Sequence, residues 1–349
     1  MKEHIKQFYI DLKKSYWNQS FNKDALFYLR NIESREGKLN KSLIKICDEY
    51  ALDCFKSKVY APWLYVYTAM HKEFKEGWIP DNYFGIEILP KINGSYGKIA
   101  SLRPLNKKIF NNSVFFSDVA YISNKNFFKS ETLEIINRHE IKDFLFANTD
   151  QIVFKENDTA KGNGIYFFHK NDFDIEKVSS LLKDGVFQPK IVQNDFFSQF
   201  NNSAVASIRI STMINRGKCE VKFADIRLPN GNITHIKVGG HVRIPINLEN
   251  GTLNKYGYLS NWQAIASHPQ SNIEYANKII PKFNEMIQLV KSLHLQFPLV
   301  KMIGWDLIID DDNQIQILEW NGSHPGIKFA EATVGPIFNI KDFSDITTN

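Results

Sequence analysis

Residues 302–326 read MIGWDLIIDDDNQIQILEWNGSHPG, and the fold turns on how this stretch is paired. Apolar runs at 302–309 and 315–320 flank five polar residues, Asp310 to Gln314. That pattern predicts two strands joined by a tight polar turn. With Asp312 and Asn313 as the loop, Asp311 faces Gln314, and counting back sets Asp306 opposite Glu319. Alternation along a strand puts Asn321 on the face of Glu319. Two carboxylates and an amide oxygen then converge, a set of hard donors suited to Mg²⁺ that bridges to phosphate. An ordinary hairpin with solvated acids has the same spacing. Loop parity separates the two: an even loop keeps all three on one face, and a three-residue loop turns Asp306 away.

The surrounding chain is globular. Its 349 residues are enough for two or three compact units. Apolar residues make up 43% and charged residues 23%, which excludes disorder. A net charge of +5 with no basic block permits an anionic ligand and argues against a nucleic-acid partner. Cys47, Cys54 and Cys219 have no metal or redox spacing and read as reduced packing thiols. The start, MKEHIKQFYIDLKKSYW, lacks the apolar run of a signal peptide, and no stretch is apolar enough to span a bilayer. The expectation is a cytoplasmic protein without stable membrane insertion.

Residues 1–80 have helical spacing: Phe8, Leu12 and Tyr16, then Leu26 and Leu29, then Leu39, Leu43, Ile46, Tyr50 and Cys54. Pro62 precedes a third helical run, 64–74, closed by Gly77 and Pro80. This region reads as a packing collar or a recognition element. Residues 81–130 are a mixed α/β segment with a strand at Val119, Tyr121 and Ile122. A helix is predicted over 131–145. A strand over 151–154 ends at Lys155, and a loop carrying Lys161, Gly162 and Gly164 leads to a strand over 165–169. Backbone N–H groups of such a loop can cradle phosphates. It is no Walker loop, because Lys161 precedes the glycines and no helix follows. A plain hairpin loop remains open as a reading.

A helix is predicted over 173–182 and a strand over 191–193. Strands over 204–214 and 220–228 carry Arg209, Asp225 and Arg227, and a turn at 229–232 leads to a strand over 233–238. An arginine inside an apolar strand must be paired or bound to a ligand. Arg209 and Arg227 are thus candidates for phosphate or carboxylate contacts, with pairing to Asp225 as the structural option. One amphipathic helix spans 272–295, with Pro281 expected to kink or divide it.

In order along the chain, Lys107, Lys155, the glycine loop, Gln193, Arg209, Arg227, Asp306, Glu319 and Asn321 resemble the ATP-grasp superfamily. The ending GWDLIID…ILEWNGSHPG is similar to that family's metal-binding strands, an Asp followed about a dozen residues later by Glu-x-Asn. KEFKEGWIPDNYFGIEILPKIN, QFNNSAVASIRISTM, ADIRLPNG and VGGHVRIPI resemble more closely the sugar-transfer-associated ATP-grasp proteins of surface-polysaccharide clusters. The resemblance covers residues 70–340.

It implies an α+β ATP-grasp fold, two α+β subdomains gripping ATP, with an N-terminal helical region. The implied divisions are the helical region 1–80, an α/β segment 81–130, a small lid subdomain 131–195, and a core subdomain 196–349 with the Mg-binding hairpin. By resemblance, Lys107 and Lys155 contact the ATP phosphates and the loop with Lys161, Gly162 and Gly164 closes over them. Gln193, Asn194, Asp195 and Phe196 form the hinge beneath the adenine. Arg209, Arg227 and Lys237 face the transferring phosphoryl group, and Asp306, Glu319 and Asn321 hold Mg²⁺. Gly304 stands where D-alanine ligases carry arginine, nearer to the peptide-tailing ligases. The implied activity joins a small-molecule carboxylate to an amine or to a hydroxyl such as that of a sugar. A phosphotransferase on the same fold and a silent scaffold are the alternatives. His235 and His241 are the candidate bases.

Overall fold

The computed structural model describes residues 2–110, 114–157, 159, 163–181, 183–235, 239–339 and 343. Lys161, Gly162 and Lys237 lie outside the described residues. Three helices open the chain: α1 (Lys2–Glu36), α2 (Lys41–Phe55) and α3 (Ala61–His71). Asn40 caps α2 by accepting the Ser42 N–H at 2.9 Å. Pro62 does not separate α3 from what precedes it. It sits in the first turn, where its missing N–H costs nothing. Ala25, Ile32, Cys47, Ala51, Trp63 and Tyr67 bury against Phe223, Trp262 and Phe329, so the helical region packs onto the large sheet.

The small sheet is fully antiparallel, in the order β2-β1-β5-β3-β4. Its strands are β1 (Ala120–Ser123), β2 (Asn126–Lys129), β3 (Gln151–Glu156), β4 (Ile165–His169) and β5 (Gly185–Pro189). β1 and β2 therefore belong to the small unit, and the boundary expected at 130/131 moves upstream of Ala120. The helix expected over 131–145 is confined to Ile141–Leu145. Residues 131–140 form turns, and Ile135 bridges to Phe128. The strand expected at 191–193 is an extended link with one bridge, Gln193 to Asp310. The paired strand of this region is β5.

The large sheet has seven antiparallel strands, ordered β10-β9-β8-β7-β6-β11-β12. These are β6 (Ser207–Asn215), β7 (Lys218–Pro229), β8 (His241–Pro245), β9 (Gly257–Tyr258), β10 (Ala264–Ile265), β11 (Met302–Ile309) and β12 (Ile315–Asn321). β7 pairs with His241–Pro245, Pro229 standing opposite His241; of the strand expected over 233–238, residues 233–235 are in no strand and 236–238 lie outside the described residues. The helix expected over 272–295 starts only at Phe283, past Pro281 and a left-handed Lys282. Residues upstream pair instead: Ile279 bridges Thr252 and Glu274 bridges Ser267. Proline's lost donor divides the amphipathic stretch.

Period-two alternation sorts the large sheet's faces. Ile208 and Ile210, Ala224, Ile226 and Leu228, and Trp305 and Leu307 bury against helix Phe283–Gln296. The residues between them, Arg209, Asp225, Arg227 and Asp306, take the other face.

Candidate active site

Strand register builds the site. Asp225, Arg209, Asp306 and Glu319 are successive cross-strand partners on β7, β6, β11 and β12. Arg209 grips Asp306 with both fork nitrogens, Nε to Oδ1 at 2.6 Å and Nη2 to Oδ2 at 2.7 Å. Its Nη1 donates to the Pro325 carbonyl at 3.1 Å. Burial pushes the Asp306 carboxyl upward, but Arg209 and Arg227 outweigh it and hold the group well below the usual carboxylate range. Gly304 makes room for this pair, since a Cβ there would lie 2.9 Å from Arg209 Nη1. An arginine at this position would collide with Arg209.

Asp225 is fully buried and is matched not by Arg209 or Arg227 but by Arg243, through bonds of 2.9 and 2.8 Å. Arg243 in turn lies over the Phe329 ring, 3.8 Å from its centroid. Arg227 is left loosely held. It lies 3.8 Å from Asp225 and 3.8 Å from Asp306, and its Nε is buried without a hydrogen bond. Burial, then Arg209, brings Arg227 down to about 10.

Asn321 donates Nδ2 to Asp306 at 3.2 Å and to Glu319 at 3.3 Å, so the three expected metal ligands do meet. Arg103 donates to Glu319 at 3.0 Å and to the Glu156 carbonyl at 3.4 Å. It thereby joins the β12 carboxylate to the root of the β3–β4 loop. At that loop's far end, Gly164 has φ +66°, and a Cβ would lie 2.9 Å from Glu156 Oε2. Lys155, on the cleft face of β3, is lowered to about 8 by desolvation and then by Arg103. Lys107 donates to Ser117 at 3.4 Å. A narrow cleft between the sheets is lined by Arg103, Lys107, Asp118, Gln188 and Ile317. Gln188 donates to Asp118 at 2.7 Å, and its Oε1 is buried with no partner.

The expected hinge is largely committed to its own backbone. Gln193 donates to the Asn201 carbonyl at 3.2 Å and accepts the Ala206 N–H at 2.7 Å. Asn194 accepts the Phe196 N–H at 3.0 Å as a helix cap, and Phe196 packs on Phe197 and Phe200. Asp195 is exposed. His235 is half-buried, 3.0 Å from Thr234 and beside the Phe167 ring of β4. Arg103, Asp118, Gln188 and Arg243 were not singled out from the sequence. Only Arg243 carried a signal, an arginine inside a short apolar run.

Residues 177–337 match the family described as sugar-transfer associated ATP-grasp. This part of the chain is ATP-grasp. The match takes in just under half the chain, including the site strands β6, β7, β11 and β12, and leaves Lys107 and Lys155 outside. No curated protein matches. Solved structures that match include N5-carboxyaminoimidazole synthetase from Staphylococcus aureus complexed with ADP, 12% identical, TM-score 0.38, covering 74% of this chain and 50% of that one. D-alanyl-alanine synthetase A from Vibrio cholerae is 11% identical, TM-score 0.37, with 72% and 66% covered. The ATP-grasp ligase PsnB with a minimal precursor is 12% identical, TM-score 0.37, with 66% and 55% covered. The chain spans about half the length of the first of these solved chains.

Proposed function

We propose that this ATP-grasp chain is a ligase that activates a carboxylate with ATP and joins it to an amine or hydroxyl acceptor. The observation that carries this reading is the convergence of Asp306, Glu319 and Asn321 with Arg209 and Arg227 on one sheet face, beside Lys155. A free carboxylate resists amide formation because oxide leaves poorly. Its oxygen attacks the γ-phosphorus, the bond to the β-phosphate oxygen breaks, and ADP departs. The acceptor's nitrogen or oxygen then attacks the acyl carbon, the bond to phosphate breaks, and the acceptor's proton is lost. Such transfer needs cations aimed at the moving oxygens more than it needs covalent chemistry. Arg227 suits the role, since its Nε has no hydrogen bond. Lys155 approaches from the small sheet and Lys107 from the short helix Asn106–Phe110. Lys161, Gly162 and Gly164 would close over the nucleotide, Gln193 to Phe196 would border its base, and Lys237 would add a cation.

Two carboxylates and a carboxamide are a donor set that fits Mg²⁺. Among the described residues no three His, Cys, Asp or Glu gather around a metal position, so the set needs the amide and phosphate oxygens to complete it. Asp306, Glu319 and Asn321 would hold the ion, with the Asn321 amide rotated to present its oxygen. The ion would offset phosphate charge. We place the reaction in surface-polysaccharide synthesis in the cytoplasm, a reading supported by the family's sugar-transfer association.

Phosphate release measured across acids and acceptors tests the proposal. A ligase frees phosphate fully only when both are present, whereas a kinase yields phosphorylated acceptor and no coupled product. Turnover that survives Glu319→Ala unchanged would sink it.

A further inference from the structure

The first turns of α1 stand away from the body. Residues 4–17 are exposed except for the half-buried Ile10 and Lys14, and the first buried side chain is Asn18. Ile5, Phe8, Tyr9, Leu12 and Tyr16 recur at helical spacing and form one stripe. All five are more than half exposed, from 54% at Leu12 to 70% at Tyr16. Such a contiguous apolar stripe calls for a covering surface.

We propose that this stripe seats the protein on an anionic lipid surface, with α1 lying in the plane of the headgroups. The residue types fit that occupant. Tyr9, Tyr16 and Trp17 combine apolar bodies with polar tips, which suits the boundary between headgroups and acyl chains, and Phe8 adds a wholly apolar ring. Charge fits as well. Lys6 and Lys13 run along one border of the stripe, and Lys13 lies 5.0 Å over the Trp17 ring. Asp11 lies away from that border and takes a hydrogen bond from Gln7 at 2.9 Å. Lys14, on the body side, binds Glu87 at 2.8 Å and fixes the helix to the fold. A second copy of the chain fits less well. The stripe ends at Tyr16, where Gln19 and Lys23 take the next positions, so it is too short for a paired coiled coil. Insertion across the bilayer is no alternative, because no helix among the described residues is long and apolar enough to span it.

Flotation of the full chain with vesicles tests this. Phosphatidylcholine vesicles with and without phosphatidylglycerol are compared for wild type, Phe8→Ser/Leu12→Ser and Lys6→Glu/Lys13→Glu. Circular dichroism confirms that each variant is folded. Wild type should float with the anionic vesicles and lose that binding as salt rises. The serine variant should bind at least about tenfold more weakly, since two apolar side chains no longer bury. The glutamate variant should lose the preference for anionic lipid. Absence of flotation, or equal flotation by all three proteins, overturns the proposal. So does self-association in place of flotation, seen by sedimentation and abolished by the serine substitutions.

Discussion

Asp306 and Glu319 are cross-strand partners even though three residues, Asp311 to Asn313, turn the chain between their strands. At the tip Asp310 and Gln314 close the turn through an N–H to carbonyl bond of 3.0 Å, and Ile309 pairs with Ile315. Continued straight, this register would set Asp306 against Leu318. A bulge between Leu307 and Asp306 takes up Leu318 as an extra residue and restores the Glu319 pairing. It also lets Ile317 and Trp320, three apart, both reach the core while Glu319 and Asn321 face the site.

The two acids of this pair should respond differently to removal. Asp306 is buried under Arg209 and Arg227, so Asp306→Ala leaves two guanidiniums without their counter-charge. Stability should fall by about 3–5 kcal/mol in denaturant unfolding. Glu319 is partly exposed and holds mainly Arg103 and Asn321. Glu319→Ala should leave unfolding nearly unchanged and abolish nucleotide turnover. Equal destabilisation by both would contradict the division of roles.

The alternation of apolar and charged residues makes the core strands and the Asp306–Glu319–Asn321 set legible in the sequence alone. What the sequence withheld follows from physics that periodicity does not encode. The register reached from a two-residue loop was right at Asp306, but the turn is longer and a bulge compensates. Pro281 ends an amphipathic pattern whose first half pairs as extended chain. Gln193 looks like a hinge residue, yet its amide is tied to the backbone of Asn201 and Ala206. Arg103 reaches Glu319 across 216 positions, and no local pattern points to such a contact.

Nucleotide affinity should depend on Lys155. Its folded value is lowered to about 8 by desolvation and then Arg103, so above that pH Lys155 is neutral in the free site. Phosphate binding favours the charged form and takes up a proton. Affinity should therefore fall by up to about tenfold per pH unit above 8. Lys155→Met should bind weakly with a flat profile, and titration calorimetry in buffers of different ionisation heat would count the proton. Arg103→Ala should move the onset of the fall to higher pH, because it removes a like charge.

Close packing beside the hairpin predicts a sharp steric response. A Cβ on Gly97 would lie 2.7 Å from the Gly322 carbonyl oxygen, and one on Gly322 would lie 2.8 Å from Gly97 Cα. Asn93 locks the same junction, donating to the Met302 and Gly322 carbonyls at 2.7 and 2.6 Å. Gly97→Ala should cost about 1–3 kcal/mol, read as a lowered Tm, and should weaken nucleotide binding by shifting Asn321. Gly94→Ala makes a useful contrast, since nothing lies within 4 Å of its Cβ and any loss there comes from its positive φ.

Glu331 sets the pH response of the joint between the helical region and the core. Its carboxyl accepts the Ile79 N–H at 3.2 Å and the Ile337 N–H at 3.1 Å, and burial pushes it up to about 8. The folded protein then holds a proton on Glu331 at pH values where the unfolded chain has lost it. Between the ordinary glutamate range and about 8, the folded state binds more protons, so stability falls as pH rises through that window. The loss should be on the order of a few kcal/mol between pH 5 and 8. Glu331→Gln carries no titrating proton, so its unfolding free energy should stay flat over the same range after an initial cost from one mismatched backbone N–H. Parallel wild-type and variant pH profiles would show that the slope arises elsewhere.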